Sequence, residues 1–233
     1  YKIINRKKNL VCGGIYFFKK KVIKKLKLKN LDIDNDIINK NFKKNNKITA
    51  KEYKNNFIDI GTKISLNKAP KFILKTIFKP CVFLDRDGVI NYDLGYVHRP
   101  KQIKWKNNIF KTIKFLNDMS IRVIVITNQA GIAKGKYKEK DFIFLTQWIN
   151  KQFIKRGCFI DKTYYCPYHP ESAIPKYKKK SILRKPDNGM IEKAFNDWEI
   201  LRKKSILIGD KKSDIDAGIK SGIKSFFVKK NIL

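Results

Sequence analysis

From residue 80 onward, hydrophobic and polar positions follow two alternating periods. Short continuous apolar runs of strand length recur, and the stretches between them carry apolar residues at helical spacing. We predict strands at 82–84, 123–126, 163–165, 206–208 and 226–228, and helices at 107–117, 139–155, 189–198 and 213–220. Strands that alternate with helices predict an α/β fold, in which a parallel sheet carries helices on both faces.

The first 79 residues have a different pattern. A short strand-like run at 14–18 precedes a lysine-rich, helix-like stretch at 22–28, and polar sequence rich in Asn and Lys follows. We therefore place a boundary near residues 79 and 80 and expect two domains, residues 1–79 and residues 80–233.

The composition is that of a folded protein with a large positive charge. Hydrophobic residues make up 42% of the 233, which argues against global disorder. Lys and Arg together number 54 against 20 Asp and Glu, a formal net charge of +34. Such a surplus indicates either a polyanionic partner, such as nucleic acid, or drift of neutral surface positions toward Lys. Because the charge divides evenly at residue 80 and few of the cations are Arg, we favour drift.

The cysteines and the apolar runs indicate in which cellular compartment the protein is expected. Four cysteines stand at 12, 81, 158 and 166 without paired spacing, which favours reduced thiols over a disulfide framework. No apolar run approaches the roughly 20 residues that a membrane span needs, and we recognise no signal peptide. We therefore expect a cytoplasmic protein without membrane contact.

Two aspartates follow the first predicted strand of the second domain. Asp85 and Asp87 stand two residues apart, and Gly88 permits a sharp turn directly after them. Ligands of open parallel sheets bind beyond the carboxyl ends of the strands, where two carboxylates favour Mg²⁺. Taken alone, the same residues are equally consistent with an exposed acidic turn.

Two further motifs offer groups for phosphate. Thr127 and Asn128, with Gln129 beside them, end the second predicted strand and suit phosphate oxygens, although such residues are also common in turns. The Arg184–Lys185 pair precedes a turn and a helix start. Lys185 could balance phosphate and carboxylate charge, but a single Lys is uninformative in so lysine-rich a chain.

A fourth motif brings two more aspartates, and the four motifs together are characteristic. Asp210 follows the strand at 206–208 and could complete a Mg²⁺ site, whereas Asp214 is equally suited to a helix N-terminus. From about residue 81 to the end, the chain resembles the haloacid dehalogenase (HAD) phosphohydrolase superfamily. Within it, the chain is most similar to the D-glycero-D-manno-heptose-1,7-bisphosphate 7-phosphatases and the related histidinol phosphatases. The similar segments are 83–91, 96–97, 105, 126–135, 166–170, 184–190 and 208–218.

The resemblance implies an aspartyl-phosphate mechanism. Asp85 would be the nucleophile, and Asp87 the general acid and then the general base. Mg²⁺ would be held by Asp85, the backbone carbonyl of Asp87 and Asp210, with Asp214 orienting Lys185 or the metal shell. The other groups that the resemblance assigns to phosphate or substrate are Thr127, Asn128, Lys185, Arg184, Lys211, Asp93 and Tyr96.

One spacing refines this expectation. Only 39 residues, 88–126, separate the first two motif cores, which is too few for a separate cap domain. Loops must then shape the pocket, and a small or extended phosphorylated substrate is favoured.

The resemblance also implies a zinc loop, which this chain does not match. Members of the family bind zinc through Cys-x-His followed by Cys-x-Cys, whereas the corresponding positions here are Cys166, Tyr168, Ser181 and Leu183. One thiolate and the displaced His169 cannot supply four ligands, so we predict no zinc. A lysine-rich run, 176–180, lies inside this loop.

The N-terminal domain carries a second resemblance. Residues 13–18 and 57–62 look like the C-terminal fragment of a sugar-1-phosphate nucleotidyltransferase, in which Asp59 would match a metal-binding aspartate. The alternative is a lysine-rich linker. Phosphatase action on a sugar bisphosphate yields a sugar 1-phosphate, which is what such a transferase uses, so this adjacency favours the heptose substrate.

Four functions stay open at this point. The leading one is a Mg²⁺-dependent phosphatase that removes the 7-phosphate of heptose 1,7-bisphosphate. The others are a histidinol-phosphate phosphatase, a nucleic-acid 3′-phosphatase that uses the basic surface, and an inactive interaction module. The intact Asp85, Asp87 and Asp210 argue against the last of these.

Overall fold

The computed structural model describes residues 13–24, 32–40, 49–50, 52 and 57–228. The chain divides into two compact units, Tyr1–Phe72 and Ile73–Leu233. We describe each unit by itself.

The first unit contains short helical elements. They are helix α1 (Lys20–Ile23), a π-helical segment (Ile33–Asn39) and the first part of helix α2 (Lys63–Ile77), which continues past the unit boundary. The strand expected at 14–18 was wrong, because the backbone there forms no strand pairing. Of the helix expected at 22–28, residues 25–28 lie outside the described residues.

Local polar contacts explain the turn before α2. The Asp59 carboxylate accepts the backbone N–H of Gly61 at 2.8 Å. The Thr62 hydroxyl accepts the N–H of Ser65 at 3.2 Å, which caps the first turn of the helix. These residues therefore have a structural role in starting α2.

The second unit is built on a five-stranded sheet in which all the strands are parallel. The strands run in the spatial order β3-β2-β1-β4-β5, and this confirms the predicted α/β fold. Their bounds are β1 (Cys81–Leu84), β2 (Arg122–Asn128), β3 (Lys162–Cys166), β4 (Ile206–Gly209) and β5 (Lys224–Phe227).

Helices cover both faces of this sheet, as the alternating pattern predicts. They are α3 (Ile109–Asp118), the short α4 (Ala130–Ala133), α5 (Glu139–Lys155), α6 (Gly189–Asp197) and α7 (Lys212–Lys220). Short 3₁₀ helices lie at Pro100–Gln102, Pro175–Tyr177 and Arg202–Lys204. The four predicted helices begin and end within two residues of α3, α5, α6 and α7.

The alternation of strand side chains produces two cores. Val82 and Leu84 of β1 face one side, where they pack with Ile113 of α3 and Phe153 of α5. Phe83, between them, faces the opposite side. Its core includes Met190 and Ala194 of α6, Ala217 of α7, and Ile124 and Ile126 of β2.

The strand order creates a binding position at one edge of the sheet. From β1 the chain builds outward to β2 and β3 on one side, and β4 and β5 lie on the other. Ligands of such sheets bind at the carboxyl ends of strands where the order reverses, here between β1 and β4. The segment from 88 to 126 contains a loop, a 3₁₀ helix, α3 and most of β2, with no inserted domain.

Two further observations concern the cellular context. Among the described helices, none combines the length and apolar character that crossing a membrane requires. The described cysteines, Cys81, Cys158 and Cys166, are buried and form no disulfide. The cytoplasmic location stays a prediction.

Candidate active site

The centre of the site is a buried lysine between two buried carboxylates. Asp85 directly follows β1, and its N–H donates to the Ile208 carbonyl of β4 at 3.0 Å. The Lys185 ammonium lies 2.8 Å from Asp85 Oδ1, 2.6 Å from Asp214 Oδ1 and 2.9 Å from the Ile126 carbonyl oxygen. The ammonium therefore donates hydrogen bonds to Asp85 and to the Ile126 carbonyl and forms an ion pair with Asp214, so its charge lies directly against Asp85.

Asp210 completes a cluster of three carboxylates. Asp85, Asp210 and Asp214 each offer an oxygen within 4.8 Å of the other two, and all three residues are buried. Both carboxylate oxygens of Asp210 are buried and accept no hydrogen bond from the described residues. An all-oxygen cluster with unpartnered acceptors fits Mg²⁺.

Gly88 lies directly against Asp210. Its φ is +95°, and a Cβ atom at this position would lie 2.2 Å from Asp210 Oδ2. Glycine is needed here both for its backbone conformation and for the close approach. The Asp-x-Asp-Gly motif thus lets the loop after β1 pass next to the acid that follows β4.

The balance of buried charge is negative. Burial raises the pKa of Asp85 to about 6, although the adjacent Lys185 acts to lower it. Burial also raises the pKa of Asp210. Burial lowers the pKa of Lys185, but the charges of Asp85 and Asp214 outweigh this and raise it above its usual value. One ammonium among three carboxylates leaves a surplus of negative charge that a divalent cation would offset.

Asp87 is held by donors from its own loop. Arg86, itself only 3% exposed, donates to Asp87 through Nε at 3.1 Å and Nη2 at 2.6 Å, and Nη2 also reaches the Val97 carbonyl at 2.8 Å. The Asn91 amide donates to Asp87 Oδ1 at 2.9 Å. This forked arrangement fixes the plane of the Asp87 carboxylate.

The end of β2 supplies a second set of polar groups. Thr127 is buried, and its hydroxyl accepts a hydrogen bond from the Gln129 amide at 2.9 Å. Asn128 forms two hydrogen bonds with the backbone of Lys185, donating to its carbonyl at 2.9 Å and accepting its N–H at 3.1 Å. The Asn128 side chain therefore positions the Lys185 segment beside β2.

The remaining predicted site residues lie around this centre. The Nη1 atom of Arg184 is buried and has no hydrogen-bond partner among the described residues. Lys211 pairs with Asp93 at 2.9 Å, which links the loop after β1 to the loop after β4. Tyr96 is 44% exposed, with φ at +51°. Whether these residues contact substrate stays a prediction.

The sequence gives no role to three residues that support the site, two of them on Asp87 and one on Gln129. Arg86 and Asn91 lie inside the first motif, but their residue types do not indicate a buried role, because Arg is seldom buried and Asn is common in turns. Tyr137 donates to Gln129 Oε1 at 2.5 Å and is 8% exposed. No local signal in the sequence distinguishes Tyr137 from the other aromatic residues.

The loop without the zinc motif is held by aromatic contacts. Tyr177 donates to Glu139 at 3.0 Å, and the Lys179 ammonium lies 4.0 Å from the centre of the Tyr168 ring. Tyr168 and Leu183 pack against the core that contains the buried Cys166. The absence of zinc stays a prediction, but these contacts give the loop its own means of support.

Known proteins are similar in sequence to this chain. Residues 182–232 match the HAD-hydrolase-like family model. A D-glycero-alpha-D-manno-heptose-1,7-bisphosphate 7-phosphatase from Photorhabdus laumondii is 41% identical over 148 residues, covering 64% of this chain and 81% of that protein. A D-glycero-beta-D-manno-heptose-1,7-bisphosphate 7-phosphatase from Vibrio cholerae is 42% identical over 145 residues, covering 62% of this chain and 78% of that protein.

Two solved structures of known proteins are similar to this chain in fold. A HAD-like phosphatase from Mesorhizobium loti superposes with a TM-score of 0.60 at 32% identity, covering 63% of this chain and 70% of that one. The fold is also that of the D,D-heptose 1,7-bisphosphate phosphatase from B. bronchiseptica, which was solved with magnesium and phosphate (TM-score 0.57, 23% identity, 64% of this chain and 79% of that one). The chain therefore belongs to the HAD-like phosphatases, the phosphomonoester hydrolases that include the heptose-1,7-bisphosphate 7-phosphatases.

Proposed function

We propose that this chain removes the 7-phosphate of D-glycero-D-manno-heptose 1,7-bisphosphate in a Mg²⁺-dependent reaction. The observation that carries the proposal is the buried cluster of Asp85, Lys185, Asp210 and Asp214 at the carboxyl ends of β1 and β4. The relatives named above support the choice of substrate.

In the first half-reaction, Asp85 attacks the phosphorus atom. One of its carboxylate oxygens forms a bond to phosphorus while the bond from phosphorus to the sugar oxygen breaks. Asp87 gives its proton to that leaving oxygen, so the products are the sugar alcohol and an aspartyl phosphate. Lys185 lies against Asp85, and Thr127 lies near the end of β2, the strand that pairs with β1; both are suited to hold the phosphoryl oxygens.

In the second half-reaction, a water molecule attacks the aspartyl phosphate. The water gives one proton to Asp87 and forms the new bond to phosphorus, and the Asp85 carboxylate is restored as inorganic phosphate leaves. Asp87 has then returned to its protonated form. The donors from Arg86 and Asn91 hold Asp87 in place through both steps.

Mg²⁺ would be held by Asp85, Asp210 and the backbone carbonyl of Asp87, where it would neutralise phosphoryl charge. The unpartnered oxygens of Asp210 support this assignment. One Asp214 oxygen forms an ion pair with Lys185 at 2.6 Å, and the other accepts the backbone N–H of Lys211 at 2.9 Å. Asp214 is therefore better suited to orienting Lys185 than to binding the metal itself.

The second phosphate of the substrate calls for a further cationic group. Arg184 precedes Lys185 in the chain and has a buried N–H group without a partner among the described residues, which suits an incoming anion. Lys211 is half-exposed and lies on the same side as Asp210. We propose these two side chains, with Asp93 and Tyr96, as the groups that face the sugar and its second phosphate.

The test is release of inorganic phosphate from heptose 1,7-bisphosphate in the presence of Mg²⁺. We expect the wild type to leave a sugar 1-phosphate, and Asp85→Asn to lose at least about 10³-fold in kcat because the covalent route is closed. Asp118→Asn, the same substitution at an exposed surface position, is the matched control. Equal activity of the wild type and Asp85→Asn would overturn the mechanism.

Competing substrates are distinguished in the same assay. A higher kcat/KM for histidinol phosphate than for either heptose anomer would replace the proposed substrate. A nucleic-acid 3′-phosphatase would instead bind 3′-phosphorylated DNA tightly, with affinity that falls steeply as salt rises. If no such binding is found at moderate salt, the positive charge of the chain is not a nucleic-acid binding surface.

We also propose that residues 1–79 are the C-terminal fragment of a sugar-1-phosphate nucleotidyltransferase. The sequence patterns at 13–18 and 57–62 support this, as does the chemical relation between the phosphatase product and the transferase substrate. The upstream coding sequence tests it: a glycine-rich nucleotide-binding start is expected there, and an unrelated sequence would refute the proposal.

A further inference from the structure

Gln129 lies between the two groups that the mechanism needs at the leaving oxygen and the phosphate. It follows β2 directly and is 2% exposed. Its Nε2 donates to Thr127 Oγ1 at 2.9 Å and reaches Asp87 Oδ2 at 3.4 Å, while its Oε1 accepts the Tyr137 hydroxyl at 2.5 Å. One buried amide thus connects three elements of the site.

The Tyr137 hydroxyl supports one orientation of this amide by donating to its oxygen. With Oε1 turned to Tyr137, both N–H groups of Gln129 point at acceptors, Thr127 and Asp87. The opposite orientation would set the Gln129 oxygen against the Asp87 carboxylate, where two acceptors repel. Asp87 therefore disfavours the flipped amide, and the hydrogen bond from Tyr137 to Oε1 braces Gln129 in the productive orientation.

Tyr137 is itself held in place by its surroundings. Its ring stacks on His98 with centroids 4.9 Å apart and planes 9° from parallel. Gly131 makes room for it, because a Cβ atom there would lie 2.3 Å from Tyr137 Cε1. The hydroxyl is thus presented to Gln129 from a fixed ring.

The other donors to Asp87 come from its own loop. Arg86 and Asn91 lie one residue before and four residues after it, so they fix the carboxylate within that loop. Gln129 instead reaches Asp87 from the residue directly after β2, the strand that carries Thr127. The distance of 3.4 Å is long, as catalytic hydrogen bonds often are before substrate binds.

We propose that Gln129, oriented by Tyr137, is a positioning residue that sets Asp87 relative to the phosphate site so that its proton reaches the leaving oxygen. This inference rests on the proposed function, in which Asp87 is the general acid. Proton donation matters for a sugar oxygen, which leaves poorly as an anion, and matters little for p-nitrophenolate, which leaves readily without a proton.

The test compares Tyr137→Phe and Gln129→Met on heptose 1,7-bisphosphate and on p-nitrophenyl phosphate. For each variant we expect kcat on the sugar phosphate to fall about tenfold or more, a part of the 10²–10⁴-fold that general acid–base catalysis contributes, and kcat on p-nitrophenyl phosphate to stay within about threefold. The ratio of the two kcat values comes from one protein sample, so it is independent of the fraction that folds.

Tyr165→Phe is the matched control. Tyr165 is partly buried in the same small hydrophobic cluster as Tyr137, and its hydroxyl donates to Glu139 at 2.9 Å instead of to a site residue. It should leave the ratio unchanged. A parallel loss on both substrates, or no loss on either, in Tyr137→Phe and Gln129→Met would overturn the positioning role. An inactive wild type would instead refute the proposed function.

Discussion

Replacing Gly88 tests the metal centre most directly, because this residue touches the candidate metal ligand without supplying a ligand itself. In Gly88→Ala, the new Cβ would lie 2.2 Å from Asp210 Oδ2 and 2.3 Å from Asp210 Cγ. An ordinary contact needs at least 3.4 Å, so the carboxylate must move by about 1.2 Å or the loop must yield by as much. Asp210 is 3% exposed and has little room to move.

Two effects are expected in this variant. The positive φ costs about 1–2 kcal/mol of folding stability, since a Cβ atom is disfavoured there. Displacement of Asp210 should also weaken Mg²⁺ activation and lower kcat/KM by up to about 10²-fold, the cost of a misplacement of about 1 Å. The assays are thermal unfolding and phosphate release as a function of Mg²⁺ concentration.

Gly157→Ala separates the two effects. Gly157 also has a positive φ, +73°, but nothing lies within 4 Å of the Cβ that the substitution would add. It should lose a similar amount of stability and keep the Mg²⁺ activation of the wild type. If Gly88→Ala shows the same Mg²⁺ dependence as Gly157→Ala, the contact with Asp210 does not define a metal ligand and the reasoning fails.

Three further predictions follow from the site. Lys185→Met should destabilise the fold by about 3–5 kcal/mol at neutral pH, because it leaves Asp85 and Asp214 buried without their ion pair. In the wild type the pKa of Asp85, about 6, lies above its unfolded value of about 3.9, so its contribution to stability falls as pH rises between these values. Lys185→Met should extend this loss to higher pH in denaturant unfolding, and a pH-independent difference from the wild type would contradict it. Asn128→Ala removes two hydrogen bonds to the backbone of Lys185, so it should lower the free energy of unfolding by about 1–2 kcal/mol and also lower kcat. The matched control is Asn117→Ala, which removes the same pair of hydrogen bonds to the backbone of Phe159 and should lower stability alone. Equal kcat values in the two Asn variants would refute the role of Asn128 in placing Lys185. Arg184→Met should raise KM for a sugar bisphosphate by roughly tenfold, because about 1.4 kcal/mol of charge-assisted binding is lost. The KM for p-nitrophenyl phosphate, which has no second phosphate, should stay unchanged. Equal effects on both substrates would contradict a contact between Arg184 and the second phosphate.

The sheet and the acids at its edge were predictable because their signals are local. Short apolar runs bounded by turn residues identify strands, and Asp85, Asp210 and Thr127 each stand where such a run ends. The order of the strands then brings the acids together, since β1 and β4 are neighbours. The pattern thus located the acids, whereas their roles came from the family resemblance and their neighbourhood from the strand order.

The support of the site was not predictable, because it depends on packing between distant segments. Arg86 is buried against Asp87 and Phe142, although Arg residues are mostly exposed. The role of Tyr137 depends on a turn that returns its ring to the end of β2. The strand expected at 14–18 failed for the opposite reason: aromatic residues favour strands, but the described structure offers this segment no partner strand.

The charged side chains of this protein form two groups, those buried in the candidate site and those exposed to solvent. Asp85, Lys185, Asp210 and Asp214 are each at most 5% exposed. A substitution within the ion-paired group of Asp85, Lys185 and Asp214 is costly, because it leaves a buried charge without its partner. The exposed lysines carry no such cost, so their number can change without altering the chemistry of the interior.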